Sequence, residues 1–226
     1  GVPEGEVTKY VWHSPSYDNH REYYVYVPAQ YDASIPAALM VFQDGHAYVN
    51  KHGSLRVPVV FDNLIHKNEM PVTIGLFINP GHSSEDFPPN RFSASNRANE
   101  YDEMDDRYVS LLIDELIPKL RETLNISNDR KMHAICGLSS GGICAWTAAW
   151  ERPDVFHKVL SHIGSFTNIR GGDRYPGIIR KSAKKDIKIF MQDGSTDLNN
   201  IHGNWYLGNL QMESALLYKG YDVKTE

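Results

Sequence analysis

"HAICGLSSGGICAW", residues 133–146, decides the fold. A short apolar run, "MHAIC", leads into Gly137-Leu138-Ser139-Ser140-Gly141, which fits G-x-S-x-G, and a helix-forming run, "GGICAWTAAWE" (141–151), follows. The five-residue pattern alone is weak, because small residues are common. Between a buried strand and a helix it gains meaning: a tight turn there lifts a serine hydroxyl above the edge of a sheet. Gly137 and Gly141 are expected where strand and helix backbones come close. Ser139 then stands near a helix N-terminus, where free N–H groups and the helix dipole favour developing negative charge. Ser140 occupies the variable position and is not the nucleophile. The competing interpretation is a plain strand–helix bend that happens to contain serines.

Outward from this motif, strands and helices alternate. On the N-terminal side, "EVTKYVWHS" (6–14) and "REYYVYVPA" (21–29) alternate outward and inward residues across the turn "SPSYDN". "PAALMVFQDG" (36–45) and "PVTIGLFINPG" (71–81) are mostly apolar runs that suit central strands of a parallel sheet. Between them, "VPVVFDNLIHKN" (57–68) is a short amphipathic helix. Residues 82–103 form a long polar loop, a length often tied to function. In "MDDRYVSLLIDELIPKLRETLN" (104–125), Tyr108, Leu111, Leu112, Leu116 and Leu120 share one helical face, and Pro118 predicts a kink. After the motif come strands in "KVLSHIGSF" (158–166), "IKIFMQDG" (187–194) and "YDVKTE" (221–226), with a helix over "NWYLGNLQMESALLYKG" (204–220). Two antiparallel strands followed by βαβ alternation predict a mostly parallel, doubly wound α/β sheet, with ligands at the carboxyl ends of its strands.

The chain has 226 residues, 41% hydrophobic and 23% charged, with a formal net charge of −5. These values fit a single soluble domain over 1–226 and lack the basic footprint of a nucleic-acid binder. No run approaches the ~18–20 apolar residues of a membrane span. Ten histidines are scattered without HxH or HExxH spacing, so no metal site is expected. No cofactor is called for. Cys136 and Cys144 read as two small buried hydrophobes.

A serine hydroxyl needs a base, and its oxyanion product needs donors. The amide of Ser140 is one expected donor, and the amide of His46, in "QDGHAYV", is the second. The acid is expected after a later strand, where "IFMQDGSTDL" offers Asp193 and Asp197. Asp197 is preferred because it lies further out in the loop, where it can meet an imidazole. The base is harder to place. His157 and His162 fit structural roles, and His202 lies only five residues after Asp197 in the same loop. The histidine is therefore expected beyond the final strand, in a segment past residue 226, making 1–226 an incomplete domain. Tyr48, Arg91, Phe166, Arg170 and Trp205 are candidates for a substrate-binding rim.

"LMVFQDGHAYV", "PVTIGLFINPGH", "NRANEYDEMDDRY", "ICGLSSGGICAW", "VLSHIGSFTNIRGG" and "FMQDGSTDLNNIHGNW" together resemble the enterochelin-esterase-like α/β-hydrolases. That group is related to carbohydrate esterase family 1, with its feruloyl and acetylxylan esterases. The resemblance covers nearly the whole chain. It implies an α/β-hydrolase fold, Ser139 as nucleophile, an oxyanion amide at His46, the acid in "DGSTD", and a small or carbohydrate-linked ester substrate. It also implies a catalytic histidine in a Gly-rich loop after the last strand, which this sequence does not contain. A secreted or periplasmic location follows from the same likeness. Acyl transfer on the same scaffold, or ligand binding without catalysis, are the alternatives. Composition leaves the oligomeric state open.

Overall fold

A computed structural model describes all residues, Gly1–Glu226. The chain forms two compact units, one from Gly1–Asn96 and Ser110–His133, the other from Arg97–Val109 and Ala134–Glu226.

In the first unit, β1 (Glu6–Ser14) and β2 (Asn19–Val27) form an antiparallel hairpin in the register Glu6↔Val27 to Ser14↔Asn19. β2 pairs antiparallel with β4 (Thr73–Ile78), and β4 pairs parallel with β3 (Ala38–Gln43). The order in this unit is thus β1-β2-β4-β3. β1 departs from the predicted alternation: Glu6 to Val11 are all exposed. It is an edge strand, and the buried face is supplied by β2, where Tyr23, Val25 and Tyr26 are interior. β4 is buried at all six positions, as its continuous apolar run requires. Helices α1 (Gly45–Val49) and α2 (Val57–His66) make the crossover from β3 to β4.

In the second unit the strands of the main sheet pair in parallel. β5 (His133–Leu138), β6 (Lys158–His162), β7 (Lys188–Gln192) and β10 (Asp222–Thr225) lie in that order. The helix α3 (Arg97–Tyr101) precedes β5 in the chain, and α6 (Ser140–Glu151), α7 (Tyr175–Lys181) and α8 (Trp205–Tyr218) link successive strands. A two-residue ladder, β8 (Asn199–Asn200) with β9 (Gly203–Asn204), precedes α8. The helix α6 is buried at eleven of its twelve positions, which explains why it is apolar on all sides.

The predicted helix over 104–125 forms as α4 (Arg107–Leu111), a π-helical turn (Leu112–Leu116) and α5 (Ile117–Arg121). Pro118 lacks an N–H and disrupts the i→i−4 ladder. The chain responds with the wider turn, in which the Ile117 N–H bonds Leu112 O. The expected kink is therefore a π-turn. Cys136 and Cys144 are both buried, as predicted for two small hydrophobes.

Candidate active site

Strand β5 delivers Ser139 to a backbone conformation of φ 56°, ψ −120°. A residue with a Cβ pays about 1–3 kcal/mol to stay in so sparse a region. Four main-chain hydrogen bonds hold it there. Ser139 N–H donates to His162 O at 2.9 Å, and Ser139 O accepts from Gly142 N–H at 2.9 Å, Ile143 N–H at 3.2 Å and Ser165 N–H at 3.0 Å. Close approach also dictates the glycines. A Cβ at Gly137 would lie 2.1 Å from Gly141 O, and one at Gly142 would lie 2.8 Å from Ser161 Oγ and 3.0 Å from Gly164 Cα. Gly142 lies outside the five-residue pattern, and only the structure shows that it is confined.

Ser139 is half-buried, with its Oγ 3.3 Å from Ser165 Oγ. Ser140, by contrast, is buried, and its Oγ donates to Asp102 Oδ2 at 3.0 Å. Its hydroxyl is thus structural, while its amide belongs to the first turn of α6, where no intrahelical acceptor exists.

Both candidate acids follow β7. Asp193 Oδ1 accepts the Gly194 N–H at 2.7 Å, and Oδ2 accepts Asn209 Nδ2 at 2.7 Å. Burial first, then the neighbouring Asp197 carboxyl, push the Asp193 pKa up to about 6. Asp197 Oδ1 accepts the Leu198 N–H at 2.7 Å, whereas its Oδ2 is buried with no hydrogen-bond partner.

The three histidines after Ser139 have distinct settings. His157 is buried, with Nδ1 2.9 Å from Asp186 O. His162 ends β6, and burial lowers its pKa. His202 is exposed, with Nδ1 3.3 Å from Asn168 O.

In the first unit, Asp44 adopts φ 56°, ψ 47° and starts α1. The His46 N–H donates to Asn79 Oδ1 at 2.8 Å, and the ring Nδ1 lies 2.9 Å from the same oxygen. Since an amide oxygen only accepts, Nδ1 carries the hydrogen. Asn79 Nδ2 in turn donates to the buried Glu22 at 3.3 Å. Arg91 grips both Glu22 oxygens, so this side chain ties residues 82–96 to β2.

The expected aromatic rim needs correction. Tyr48, Phe166 and Trp205 are only 1%, 2% and 3% exposed. Tyr48 lies in α1 against Phe42, Phe166 packs edge-on to Tyr175, and Trp205 opens α8 with its indole N–H on Ser165 Oγ at 3.1 Å. The large apolar area of these rings favours burial over a place on the surface. Arg170 is half-exposed and bonded to Glu103 and Asn99. No group of three or more His, Cys, Asp or Glu side chains is arranged to hold a metal, and no helix is long and apolar enough to cross a membrane.

A mostly parallel sheet with an antiparallel N-terminal hairpin, and a strained serine between strand and helix, define the α/β-hydrolase class. A family model, Esterase, described as "Putative esterase", matches residues 14–208. The chain belongs to this esterase family. It is 23% identical over 209 residues to a Bacillus subtilis (strain 168) protein called "Uncharacterized protein YbbA", covering 89% of this chain and 80% of the other. Among solved structures, the enterobactin esterase of Shigella flexneri, in the presence of enterobactin, aligns with a TM-score of 0.78 at 19% identity. That alignment covers 99% of this chain and 54% of the other, so the chain spans about half the length of that relative. A CE1 ferulic acid esterase from Anaeromyces mucronatus aligns with a TM-score of 0.70 at 16% identity, covering 100% and 83%. At identities this low the likeness to these structures is one of fold alone.

Proposed function

We propose that this chain is a serine carboxylic ester hydrolase that works through an acyl-enzyme on a small or carbohydrate-linked ester of feruloyl or acetyl type. The observation that carries the proposal is the Ser139 backbone at φ 56°, ψ −120°, at the strand-to-helix junction. A plain bend has no reason to keep a residue with a Cβ in that conformation at the cost of strain.

Ser139 Oγ attacks the acyl carbon while a histidine takes its proton. The same histidine protonates the departing alkoxide, and water then repeats the sequence to release the acid. Asp197 orients that histidine. Asp197 is preferred over Asp193 because both Asp193 oxygens already accept hydrogen bonds from Gly194 and Asn209, whereas Asp197 Oδ2 accepts none. The amide of Ser140, in the first turn of α6, is a donor to the tetrahedral oxyanion. The His46 amide, the other donor expected from the sequence, is donated to Asn79 Oδ1. Family membership and the structural likeness to enterobactin and ferulic acid esterases support the ester as substrate class. A location outside the cytoplasm belongs to the same proposal.

The test is turnover of p-nitrophenyl acetate and methyl ferulate by the protein and by Ser139→Ala. Loss of the nucleophile lowers turnover by about 10⁴-fold or more. Equal rates from the two proteins would overturn the assignment.

A further inference from the structure

We infer that Ser165 is a positioning residue for the nucleophile, and that Trp205 fixes the direction in which its hydroxyl points. This rests on Ser139 being the nucleophile. Ser165 reaches Ser139 twice: its N–H donates to Ser139 O at 3.0 Å, and its Oγ lies 3.3 Å from Ser139 Oγ. Trp205 Nε1 lies 3.1 Å from the same Ser165 oxygen. Ser165 is 1% exposed and Trp205 3%, so bulk water is kept from this contact.

The donor inventory orders the chain. An indole N–H only donates, so Ser165 Oγ must accept it. The Ser165 hydrogen is then free for Ser139 Oγ, and accepting from the indole strengthens that donation. With one lone pair of Ser139 Oγ so occupied, the oxygen is pinned in one rotamer. Its own hydrogen is left for the base, and a second lone pair for the acyl carbon. Reversed polarity, with Ser139 donating to Ser165, would turn the proton to be abstracted away from any base. Trp205 disfavours that reversal, because Ser165 Oγ would then have to accept from both the indole and Ser139 while its own hydrogen lost Ser139 Oγ as acceptor.

The segment carrying Ser165 is itself fixed. Gly164 O accepts Asn209 Nδ2 at 2.9 Å, and the same nitrogen lies 2.7 Å from Asp193 Oδ2. Trp205 and Asn209 are one turn apart on α8, so a single helix holds both the indole and the anchor of the serine loop.

The experiment has two arms. In the first, the Trp205 indole ¹H–¹⁵N resonance, identified by its loss in Trp205→Phe, is followed in Ser165→Ala and Ser139→Ala. It should shift strongly in Ser165→Ala, and less but in the same direction in Ser139→Ala. In the second, ester turnover is measured. Ser165→Ala should lower kcat about tenfold, the equivalent of one hydrogen bond, with KM unchanged. Trp205→Phe should lower it about threefold, and the double variant should match Ser165→Ala alone, since Trp205 acts through Ser165. Turnover that survives Ser139→Ala refutes the esterase assignment itself. Turnover lost in Ser139→Ala but unchanged in Ser165→Ala refutes the positioning role alone. So do additive effects in the double variant, or an indole resonance indifferent to Ser165→Ala.

Discussion

Replacing Gly137 by alanine tests the turn beneath Ser139 without altering a reacting group. The added methyl carbon would lie 2.1 Å from Gly141 O, 2.3 Å from Gly141 C and 2.8 Å from Gly141 Cα. Ordinary carbon contacts lie at about 3.5–4 Å, so the first turn of α6 must recede by more than ~1 Å. All three atoms are main chain, so no rotamer change relieves the overlap. Overpacking costs about 1–3 kcal/mol where side chains can yield, and we expect the upper end or beyond here. At ~3 kcal/mol, a chain of this size loses about 6–12 °C in Tm. Turnover should fall about a hundredfold, because Ser139 moves with the helix by a distance that matters for attack. Gly177 is the matched control: it lies in α7 with nothing within 4 Å of its built Cβ. Gly177→Ala should gain about 0.5–1 kcal/mol and raise Tm slightly. Thermal melts followed by circular dichroism, with ester turnover alongside, decide the matter. A Gly137→Ala protein that melts with the wild type would refute the close approach of strand and helix.

Glu22→Ala removes a buried carboxylate that pairs with Arg91 and Lys9, and should cost about 2–4 kcal/mol in urea unfolding, below the usual figure for a fully buried pair because Lys9 is half-exposed. Burial raises the Glu22 pKa, but the hydrogen bonds and charges of Arg91 and Lys9 outweigh this and hold it below 4.5. Its stabilisation should therefore be present above pH 4.5 and be lost as pH falls through the lowered folded value; an acid titration of stability that is identical in Glu22→Ala contradicts this. Asp193 has the opposite sign. Its folded pKa of about 6 exceeds the ordinary 3.8, so its contribution is full below pH 3.8 and fades as pH rises through 6. A urea midpoint that falls across this window in the wild type but not in Asp193→Asn is the expected result.

Most of the sheet was legible in the residues because apolar runs report burial directly. β3, β4, β6 and β7 each fall inside the stretch that predicted them, and β5 runs on to Leu138, past the strand expected there. The missed elements are short. The α3 helix hid within a polar loop, because only Glu100 and Tyr101 of its five residues are buried and no periodicity develops. The α7 helix carried a usable signal, Pro176 in its first turn, but the glycines before it suggested a loop. Site residues divide along the same line. The position of Ser139 follows from local pattern, as do the strand-end positions of Asp193 and Asp197. The contacts of Tyr48, Phe166 and Trp205 do not, since an aromatic residue in a connecting segment looks the same whether it faces solvent or the interior. Ser165 and Trp205 are 40 residues apart, and no spacing rule connects a loop serine to the first residue of a distant helix.

That division has an energetic basis. Strain at Ser139 costs about 1–3 kcal/mol. Four main-chain hydrogen bonds converge on this residue, each with a net worth of about 1 kcal/mol, so together they offset the strain. Two of the four are supplied by the motif's own helix, through Gly142 and Ile143; the other two come from His162 and Ser165, at and after the end of β6. A G-x-S-x-G stretch without that second strand would relax to an ordinary turn. The segment 162–165 therefore decides whether these five residues hold the strained turn that the proposed nucleophile requires, and Ser165 sits where the same short stretch both braces the backbone of Ser139 and meets its side chain.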